Sequence, residues 1–185
     1  MSSEPNGSAY PVAAFGGGCH WCTEAVFQHV PGVVRVEQGF ASGPPPDDAL
    51  SEAARVWWDA SVVTLVTLVG IHLDTHAAQS DHSMRGKYRS AVYAADAGTE
   101  EAARVALSSE AERRGPLVTR VLPLARFERS SERYRDYYRR RPDAPFCRTH
   151  IAPKLARLVP EPHTGRIRVE QEVMDGPVRK GSRSV

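Results

Sequence analysis

The sequence predicts an α+β protein organised as a two-layer sandwich, in which helices pack on a mixed β-sheet and an irregular segment forms the C-terminal end. Helical and strand-like patterns alternate along the chain, but some strand candidates follow each other directly, which favours this class. The length of 185 residues suits one domain, and the hydrophobic fraction of 41% lies near the globular average.

The first predicted elements surround three consecutive glycines. Residues 1–9 are polar, with Pro and Gly, and we expect a flexible arm. Residues 10–15 are apolar and predict a buried strand that runs into a tight turn at residues 16–18. A helix is expected from Cys19, because apolar residues then recur at helical spacing until a Pro-Gly pair at residues 31–32.

The middle of the chain predicts strands and a helix before a long loop. Val34 and Val36 alternate with charged residues, as in a half-buried strand. Long irregular loops in compact domains are often functional. The expected elements are a strand over residues 33–40, a rigid polar loop over 43–48, a strand over 53–58, a helix over 61–73 and an irregular loop over 72–86.

The remaining elements lead to a weakly patterned C-terminal end. Thr99 is the expected N-cap of an amphipathic helix, and a Gly-Pro pair ends that helix. The predicted organisation is an arm at residues 1–9, one folded domain at 10–159 and a flexible tail at 160–185. The elements expected within the domain are a strand over residues 88–95, a helix over 99–114, a strand over 117–124 and a helix over 131–141.

Charge and composition exclude several classes of protein. A formal net charge of +2 lacks the basic excess that nucleic-acid binding requires, and no segment approaches the roughly 18 apolar residues of a membrane span. The N-terminal residues lack the layout of a secretory signal, so we expect a cytoplasmic monomer without nucleic-acid or membrane partners. Three cysteines are too few for a disulfide scaffold; in a reducing compartment they are candidate ligands, catalysts or core residues.

The segment GGGCHWCTE at residues 16–24 carries the strongest chemical signal. The glycines permit a sharp turn and leave open space above the Cys19 thiol. A cysteine in the first turn of a helix faces unpaired N–H groups and the positive end of the helix dipole, which lower its pKa from about 8.5 to about 3.5–7.5. Cys19 is therefore the candidate nucleophile; the alternative is a small residue that packs after the turn.

Cys22 lies three residues after Cys19, close enough along a helix for a disulfide of acceptable geometry. A Cys-x-x-Cys sequence between a strand and a helix also suggests a thiol–disulfide exchanger, while a buried helix residue is the simpler alternative for Cys22. No metal site is predicted, because the histidines show no convincing ligand spacing. The histidines considered are His72, His76, His82 and His150.

Three segments, in order, resemble the A-type peptide-methionine sulfoxide reductase family, and the resemblance covers residues 11–158. GGGCHWCTEAVFQHVPGVVRVEQGFASG is similar to the active-site segment of that family. SEAARVWWDA resembles its Glu-containing strand, and GKYRSAVY resembles its Gln-Tyr-Arg-Ser segment. The resemblance implies a ferredoxin-like core and makes residues 10–159 the catalytic domain.

The family implies thiol-dependent reduction of methionine S-sulfoxide, free or in proteins, without a bound cofactor. The Cys19 thiolate would attack the sulfoxide sulfur, Glu52 would protonate the oxygen as a carboxylic acid kept neutral by burial, and Tyr88 would hydrogen-bond the same oxygen. The Cys19 sulfenic acid would condense with another thiol, and thioredoxin or a similar reductant would reduce the disulfide. The simpler alternatives are a solvated Glu52 and a structural Tyr88.

The resemblance also suggests a resolving thiol and substrate contacts. Cys22 and Cys147 are both candidate resolving cysteines, and proximity to the nucleophile favours Cys22. Trp21 is expected to pack on the substrate methyl group. The full set of implied substrate-binding residues is His20, Trp21, Phe40, Asp81 and Ser83.

The chain departs from the family pattern at the site. His20 stands where the family has Phe, which favours a wetter pocket or a more polar substrate. Residues 43–51 hold no counterpart of a second active-site Tyr, and the position of a family Asp is Ser83, with Asp81 two residues away. Three other functions therefore stay open: reduction of another small sulfoxide, thiol–disulfide exchange, and binding of oxidised methionine without catalysis.

Overall fold

The structure, a computed structural model, describes residues 10–160 and 167–169. The helices within these residues are α1 (His20–Gln28), α2 (Leu65–Thr75), α3 (Ala97–Arg114), α4 (Tyr137–Arg140) and α5 (Ala152–Leu155). The strands are β1 (Val12–Gly16), β2 (Val33–Ser42), β3 (Ser51–Trp58), β4 (Ala91–Ala94), β5 (Arg120–Pro123), β6 (Arg126–Arg129), β7 (Leu158–Pro160) and β8 (Ile167–Val169).

A six-stranded mixed sheet has the strand order β5-β4-β1-β3-β2-β6. β3 lies between β1 and β2 and runs antiparallel to both, β4 is antiparallel to β1, and β5 is parallel to β4. The four central strands with α1 and α2 form the expected ferredoxin-like core, so the α+β prediction is confirmed. β7 and β8 form a separate antiparallel pair.

The main core lies between one face of this sheet and helices α1, α2 and α3. Side chains of a strand alternate between its two faces, so Phe15 of β1 points to the helices and Ala14 to the other side. Phe15 packs there on Phe27 of α1 and beside Leu68 of α2, all fully buried. None of the described helices combines the length and apolar character that a membrane crossing requires.

Two predicted helix starts were wrong because the capping residue lies elsewhere. α2 begins at Leu65 rather than at residue 61, since the Thr64 side chain accepts the N–H of the residue three positions later. α3 begins at Ala97, because the Asp96 side chain accepts the N–H of Thr99. Thr99 therefore lies inside the helix instead of capping it.

The segment between α2 and β4 also differs from the prediction. The expected irregular loop contains a 3₁₀ helix at Ser83–Gly86, and β4 is shorter than the predicted strand over residues 88–95. Tyr88 lies in the turn before β4, where its backbone N–H bonds to the Met84 carbonyl. β6 was not predicted; it pairs antiparallel with the end of β2.

The helix predicted over residues 131–141 is interrupted. The structure has a 3₁₀ helix at Glu132–Tyr134 and then α4, separated by Asp136, whose φ of 53° lies in the left-handed region and breaks a regular helix. A π-helical turn at Cys147–Ile151 leads into α5. β8 falls within the predicted tail, and the predicted arm at residues 1–9 lies outside the described residues.

Leu68 tests the assignment of the main core. It is fully buried, so Leu68→Ala is expected to lower the free energy of unfolding by about 2–5 kcal/mol through lost contacts and a residual cavity. Val66→Ala on the same helix is the matched control, because Val66 is 52% exposed and its truncation should cost only about 0.5 kcal/mol. Urea unfolding followed by circular dichroism measures both, and equal losses would contradict the assigned core.

Candidate active site

β1 leads into the glycine turn below the start of α1. Gly17 has a φ of +152°, and a Cβ there would lie 2.4 Å from the His76 ring, so only glycine fits. A Cβ at Gly18 would lie 3.9 Å from the His76 Cβ, an ordinary van der Waals distance, so the turn is less crowded just before the next residue. That residue is Cys19, which the structure places half-buried at the N-cap of α1.

Several donors stabilise the Cys19 thiolate. Its pKa is lowered from 9.0 to about 7, first of all by a hydrogen bond from the Cys22 thiol, against the opposing effect of burial. The backbone N–H groups of Cys22 and Trp21, at the free end of the helix, lower the pKa further, while the charge of Glu52 raises it. A substantial fraction of Cys19 is therefore thiolate at neutral pH.

Glu52, on β3, is the acidic group beside this helix start. Its side chain is buried, and Oε2 accepts the backbone N–H of His20 at 3.1 Å. Its other oxygen, Oε1, lies 3.5 Å from Nζ of Lys87. Glu52 is thus held by one contact to the start of α1 and one to the side chain of Lys87.

His20 is more buried than its polar side chain predicts. It is 9% exposed, its Nδ1 lies 3.2 Å from the Gly39 carbonyl oxygen, and its Nε2 lies 3.8 Å from Oε2 of Glu52. Burial lowers the pKa of His20, and the Glu52 charge only partly offsets this. The imidazole is therefore neutral at pH 7, and Nδ1–H donates to the carbonyl. Phe40 packs edge-on against the ring at 5.3 Å.

Backbone contacts hold residues 87–89 against the start of β3. The Lys87 carbonyl accepts the N–H of Glu52 at 3.0 Å and the hydroxyl of Ser51 at 2.9 Å, and that hydroxyl oxygen accepts the N–H of Arg89 at 2.7 Å. Half-buried Tyr88 follows directly, and Lys87 Nζ lies 5.0 Å from the centre of its ring. Sequence reasoning missed Lys87, although its place next to Tyr88 in the matching segment was the available signal.

An aromatic wall stands beside Cys19. Trp21 stacks on Tyr137 of α4 with ring centres 4.2 Å apart, and the Phe146 ring meets Trp21 edge-on at 5.6 Å. Tyr137 and Phe146 were not predicted, because they lie more than a hundred residues later and no local pattern marks them. One face of Trp21 is therefore covered by protein.

Glu24 fixes the late segment against α1. Its Oε1 accepts the N–H of Asp136 at 2.9 Å, and its Oε2 accepts Nε2 of Gln38 at 3.2 Å. Nε2 of Gln38 also donates to the Tyr134 carbonyl at 3.0 Å. Burial raises the pKa of Glu24, and the N–H of Asp136 partly offsets this. These bonds hold the left-handed turn at Asp136, which places Tyr137 against Trp21.

All three cysteines are free thiols that share one cluster. Cys22 is 6% exposed and Cys147 fully buried, with Ala25 and Ile151 packed around them. The hydrogen bond to Cys19 and burial raise the pKa of Cys22, so it remains a thiol that can donate. Burial also raises the pKa of Cys147.

Two predicted substrate residues lie apart from this group. Asp81 and Ser83 are exposed, in the loop and at the first position of the 3₁₀ helix before Lys87. The polar contacts of this segment run through Arg85, whose guanidinium donates to the carbonyls of Gly17 and Tyr88 at 3.4 and 3.2 Å. The structure thus brings Cys19, His20, Trp21, Phe40 and Glu52 together around the start of α1, and the Tyr88 ring is connected to them through Lys87. Asp81 and Ser83 lie outside this group.

The buried histidines support the glycine turn. His72 Nε2 lies 2.9 Å from the Gly16 carbonyl oxygen, and the His76 ring stacks on His72 at 4.1 Å. His76 Nε2 lies 2.7 Å from the Ser90 hydroxyl. Burial lowers the pKa of His76 to about 4, so its ring is neutral. Within the described residues, no group of three or more His, Cys, Asp or Glu side chains is arranged to hold a metal ion.

Known proteins with similar sequences and folds share one description. The family model described as peptide methionine sulfoxide reductase matches residues 11–166. The peptide methionine sulfoxide reductase MsrA of Deinococcus radiodurans is 33% identical over 169 residues, covering 82% of this chain and 82% of that protein. The solved structure of methionine sulfoxide reductase A of Corynebacterium diphtheriae is 25% identical, with a TM-score of 0.62 over 74% of this chain and 77% of that one.

A further solved structure supports the fold alone. Mxr1 from Saccharomyces cerevisiae, in complex with Trx2, is 19% identical and has a TM-score of 0.52. The match covers 72% of this chain and 88% of that chain.

The Cys22 thiol tests the origin of Cys19 acidity. In the wild type, the rate of Cys19 alkylation by iodoacetamide should rise with pH through a midpoint of about 7. Cys22→Ala removes the S–H donor, so the midpoint should move upward toward the ordinary value of 9.0. Cys22→Ser keeps a donor and should move it less. Mass spectrometry of the alkylated peptide gives the rates, and an unchanged midpoint in Cys22→Ala would exclude this donor.

Proposed function

The chain belongs to the peptide methionine sulfoxide reductase family, and we propose that Cys19 is the thiolate through which it reduces methionine S-sulfoxide to methionine. The observation that carries this proposal is the placement of Cys19 at the N-cap of α1 with a pKa lowered to about 7, beside the buried carboxyl group of Glu52. A nucleophile and a group that can carry a proton thus lie side by side at the start of α1.

The reaction begins when the Cys19 thiolate attacks the sulfoxide sulfur. This attack forms a bond between the two sulfur atoms. The oxygen takes up a proton, its bond to the methionine sulfur and the new sulfur–sulfur bond break, and a bond forms between the oxygen and the Cys19 sulfur, so that methionine leaves and a cysteine sulfenic acid remains. Two electrons pass from the cysteine sulfur to the methionine sulfur. Glu52 is the group placed to hold and deliver the proton, and the hydroxyl of Tyr88 is the second donor for the oxygen.

The apolar part of the substrate requires a dry surface near the thiol. Trp21 and Phe40 supply aromatic surface beside Cys19, and buried, neutral His20 completes it without adding charge. Its low pKa supports an apolar methyl pocket over the alternative of a more polar small sulfoxide. Asp81 and Ser83 are exposed and lie apart from this surface, so we assign them no part in the methyl pocket.

Regeneration uses a second thiol of the same chain. We propose that Cys22 condenses with the Cys19 sulfenic acid, which forms the disulfide and releases water. Cys22 is the thiol whose side chain lowers the pKa of Cys19, whereas Cys147 is fully buried in the same cluster. A Cys19–Cys22 disulfide keeps the half-exposed Cys19 sulfur within reach of an external dithiol.

The external reductant is proposed to be a thioredoxin-like protein, with no bound cofactor. The yeast protein Mxr1, which shares the fold, has been solved in complex with Trx2, and this supports the choice of partner. Free thiols persist where the surroundings are reducing, so we propose the cytoplasm as the location.

Glu52 gives the sharpest test of the chemical step. Glu52→Gln keeps an oxygen that can accept the N–H of His20 but cannot take up a proton and pass it to the sulfoxide oxygen, so kcat/KM should fall by about 10²–10⁴-fold with dithiothreitol as reductant. The charge of Glu52 raises the Cys19 pKa, so the variant should hold more thiolate at pH 7, and the loss cannot come from a weaker nucleophile.

The controls for this test are Cys19→Ser, which should abolish turnover, and Arg104→Gln on exposed α3, which should not affect it. Both epimers of methionine sulfoxide are assayed, and only the S epimer should react. Full activity in Cys19→Ser would overturn the proposal. Insulin reduction without sulfoxide turnover would establish the thiol–disulfide exchanger instead.

The resolving cysteine is identified by a trapped disulfide. After one turnover without reductant, mass spectrometry of the wild type should find Cys19 linked to Cys22. Cys22→Ser should lose thioredoxin-supported turnover by more than about tenfold while turnover with dithiothreitol persists, because a small thiol can reduce the sulfenic acid directly. A Cys19–Cys147 link, with the matching loss in Cys147→Ser, would assign the role to Cys147.

A further inference from the structure

Lys87 occupies the middle of the proton-delivery site. Its Nζ lies 3.5 Å from Oε1 of Glu52, the carboxyl oxygen that His20 does not bind, and 5.0 Å from the centre of the Tyr88 ring. The ammonium thus neighbours both groups assigned to the sulfoxide oxygen.

The backbone of Lys87 is held in place although its side chain is open to solvent. Its carbonyl accepts hydrogen bonds from the Glu52 N–H and the Ser51 hydroxyl, which fix it to the first residues of β3. Its side chain is 59% exposed, so a substrate can approach the ammonium. A fixed backbone and a solvent-accessible ammonium group suit a residue that binds a ligand.

The charge of Lys87 is constant over the working range of the enzyme. A hydrogen bond with the Tyr88 side chain, and then the charge of Glu52, raise the pKa of Lys87 above its ordinary value. The side chain therefore carries an ammonium group with three donors at neutral pH. One donor can face Glu52 and a second Tyr88, which leaves a third for another acceptor.

We propose that Lys87 is a catalytic residue whose ammonium donates a hydrogen bond to the sulfoxide oxygen while Cys19 attacks the sulfur. The S–O bond is strongly polar, and negative charge grows on the oxygen until the proton arrives. A preorganised cation stabilises that charge most when it is largest, which lowers the barrier. This role rests on the proposed function, since it requires a sulfoxide in the site.

The competing explanation is an ordinary surface ion pair with Glu52. Exposed pairs of this kind contribute little to stability or function. That explanation predicts no selective effect on substrates that carry the oxygen.

The first experiment measures the chemical step alone. Wild type, Lys87→Met, Lys87→Arg and Arg104→Gln are mixed with methionine S-sulfoxide without reductant, and the rate of the single burst of methionine is followed. Lys87→Met should slow the burst about 10–100-fold, the loss typical of a charged hydrogen bond, and Lys87→Arg should restore part of it. Arg104→Gln removes a comparably exposed cation from a Glu pair on α3 and should leave the rate unchanged.

The second experiment separates oxygen recognition from the general electrostatics of the site. In the Cys19→Ser background, calorimetry compares binding of N-acetylmethionine sulfoxide and N-acetylmethionine, which lacks the oxygen. Adding Lys87→Met should weaken sulfoxide binding several-fold and leave thioether binding unchanged. Equal effects on both ligands, or an unchanged burst in Lys87→Met, would overturn the role of Lys87. Wild type that forms no methionine would overturn the proposed function instead, and the binding comparison would still decide the oxygen contact.

Discussion

Two acidic groups share the first N–H groups of α1, and the rest of the site is arranged around that fact. The Cys19 sulfur faces the N–H groups of Trp21 and Cys22, while the Glu52 carboxyl group accepts the N–H of His20. N–H groups in the first turn of a helix point toward its free end, so they stabilise an anion placed there. Two neighbouring anions also repel, and the charge of Glu52 raises the Cys19 pKa accordingly. The balance gives a thiol that ionises near neutral pH beside a carboxyl group.

Strand register decides where that carboxyl group stands. Glu52 pairs with Phe40 across β2 and β3, so both side chains lie on the helix face of the sheet, below the start of α1. A slip by one residue would turn Glu52 to the opposite face, away from Cys19. The apolar core between the sheet and α2, in which Leu68 is fully buried, stabilises this register. The core therefore also keeps Glu52 on the face of Cys19. The His76 ring packs against Gly17 and so fixes the turn between β1 and α1.

The late part of the chain completes the site from a distance. The Glu24 carboxyl group binds the N–H of Asp136, and the turn at Asp136 carries Tyr137 onto Trp21. The π-helical turn at Cys147–Ile151 then packs its cysteine into the cluster with Cys22. One thiol is thus half-exposed at the helix start, while the others are buried behind it. This arrangement suits attack on a substrate first and disulfide formation afterwards.

Local sequence determined the position of Cys19 at the start of a helix and much of the sheet, because a glycine turn, a helix start and strand alternation depend on neighbouring residues. Cys19, the helix that follows it and the α+β class could therefore be predicted, and the segments around Glu52 and Tyr88 were found through their resemblance to a family. Tertiary structure alone decided the burial of His20, the stacking of Tyr137 on Trp21 and the ion pair between Lys87 and Glu52. Each depends on contacts between residues far apart in the chain. No local sequence pattern encodes which distant side chain will bury a residue or place a charge beside it.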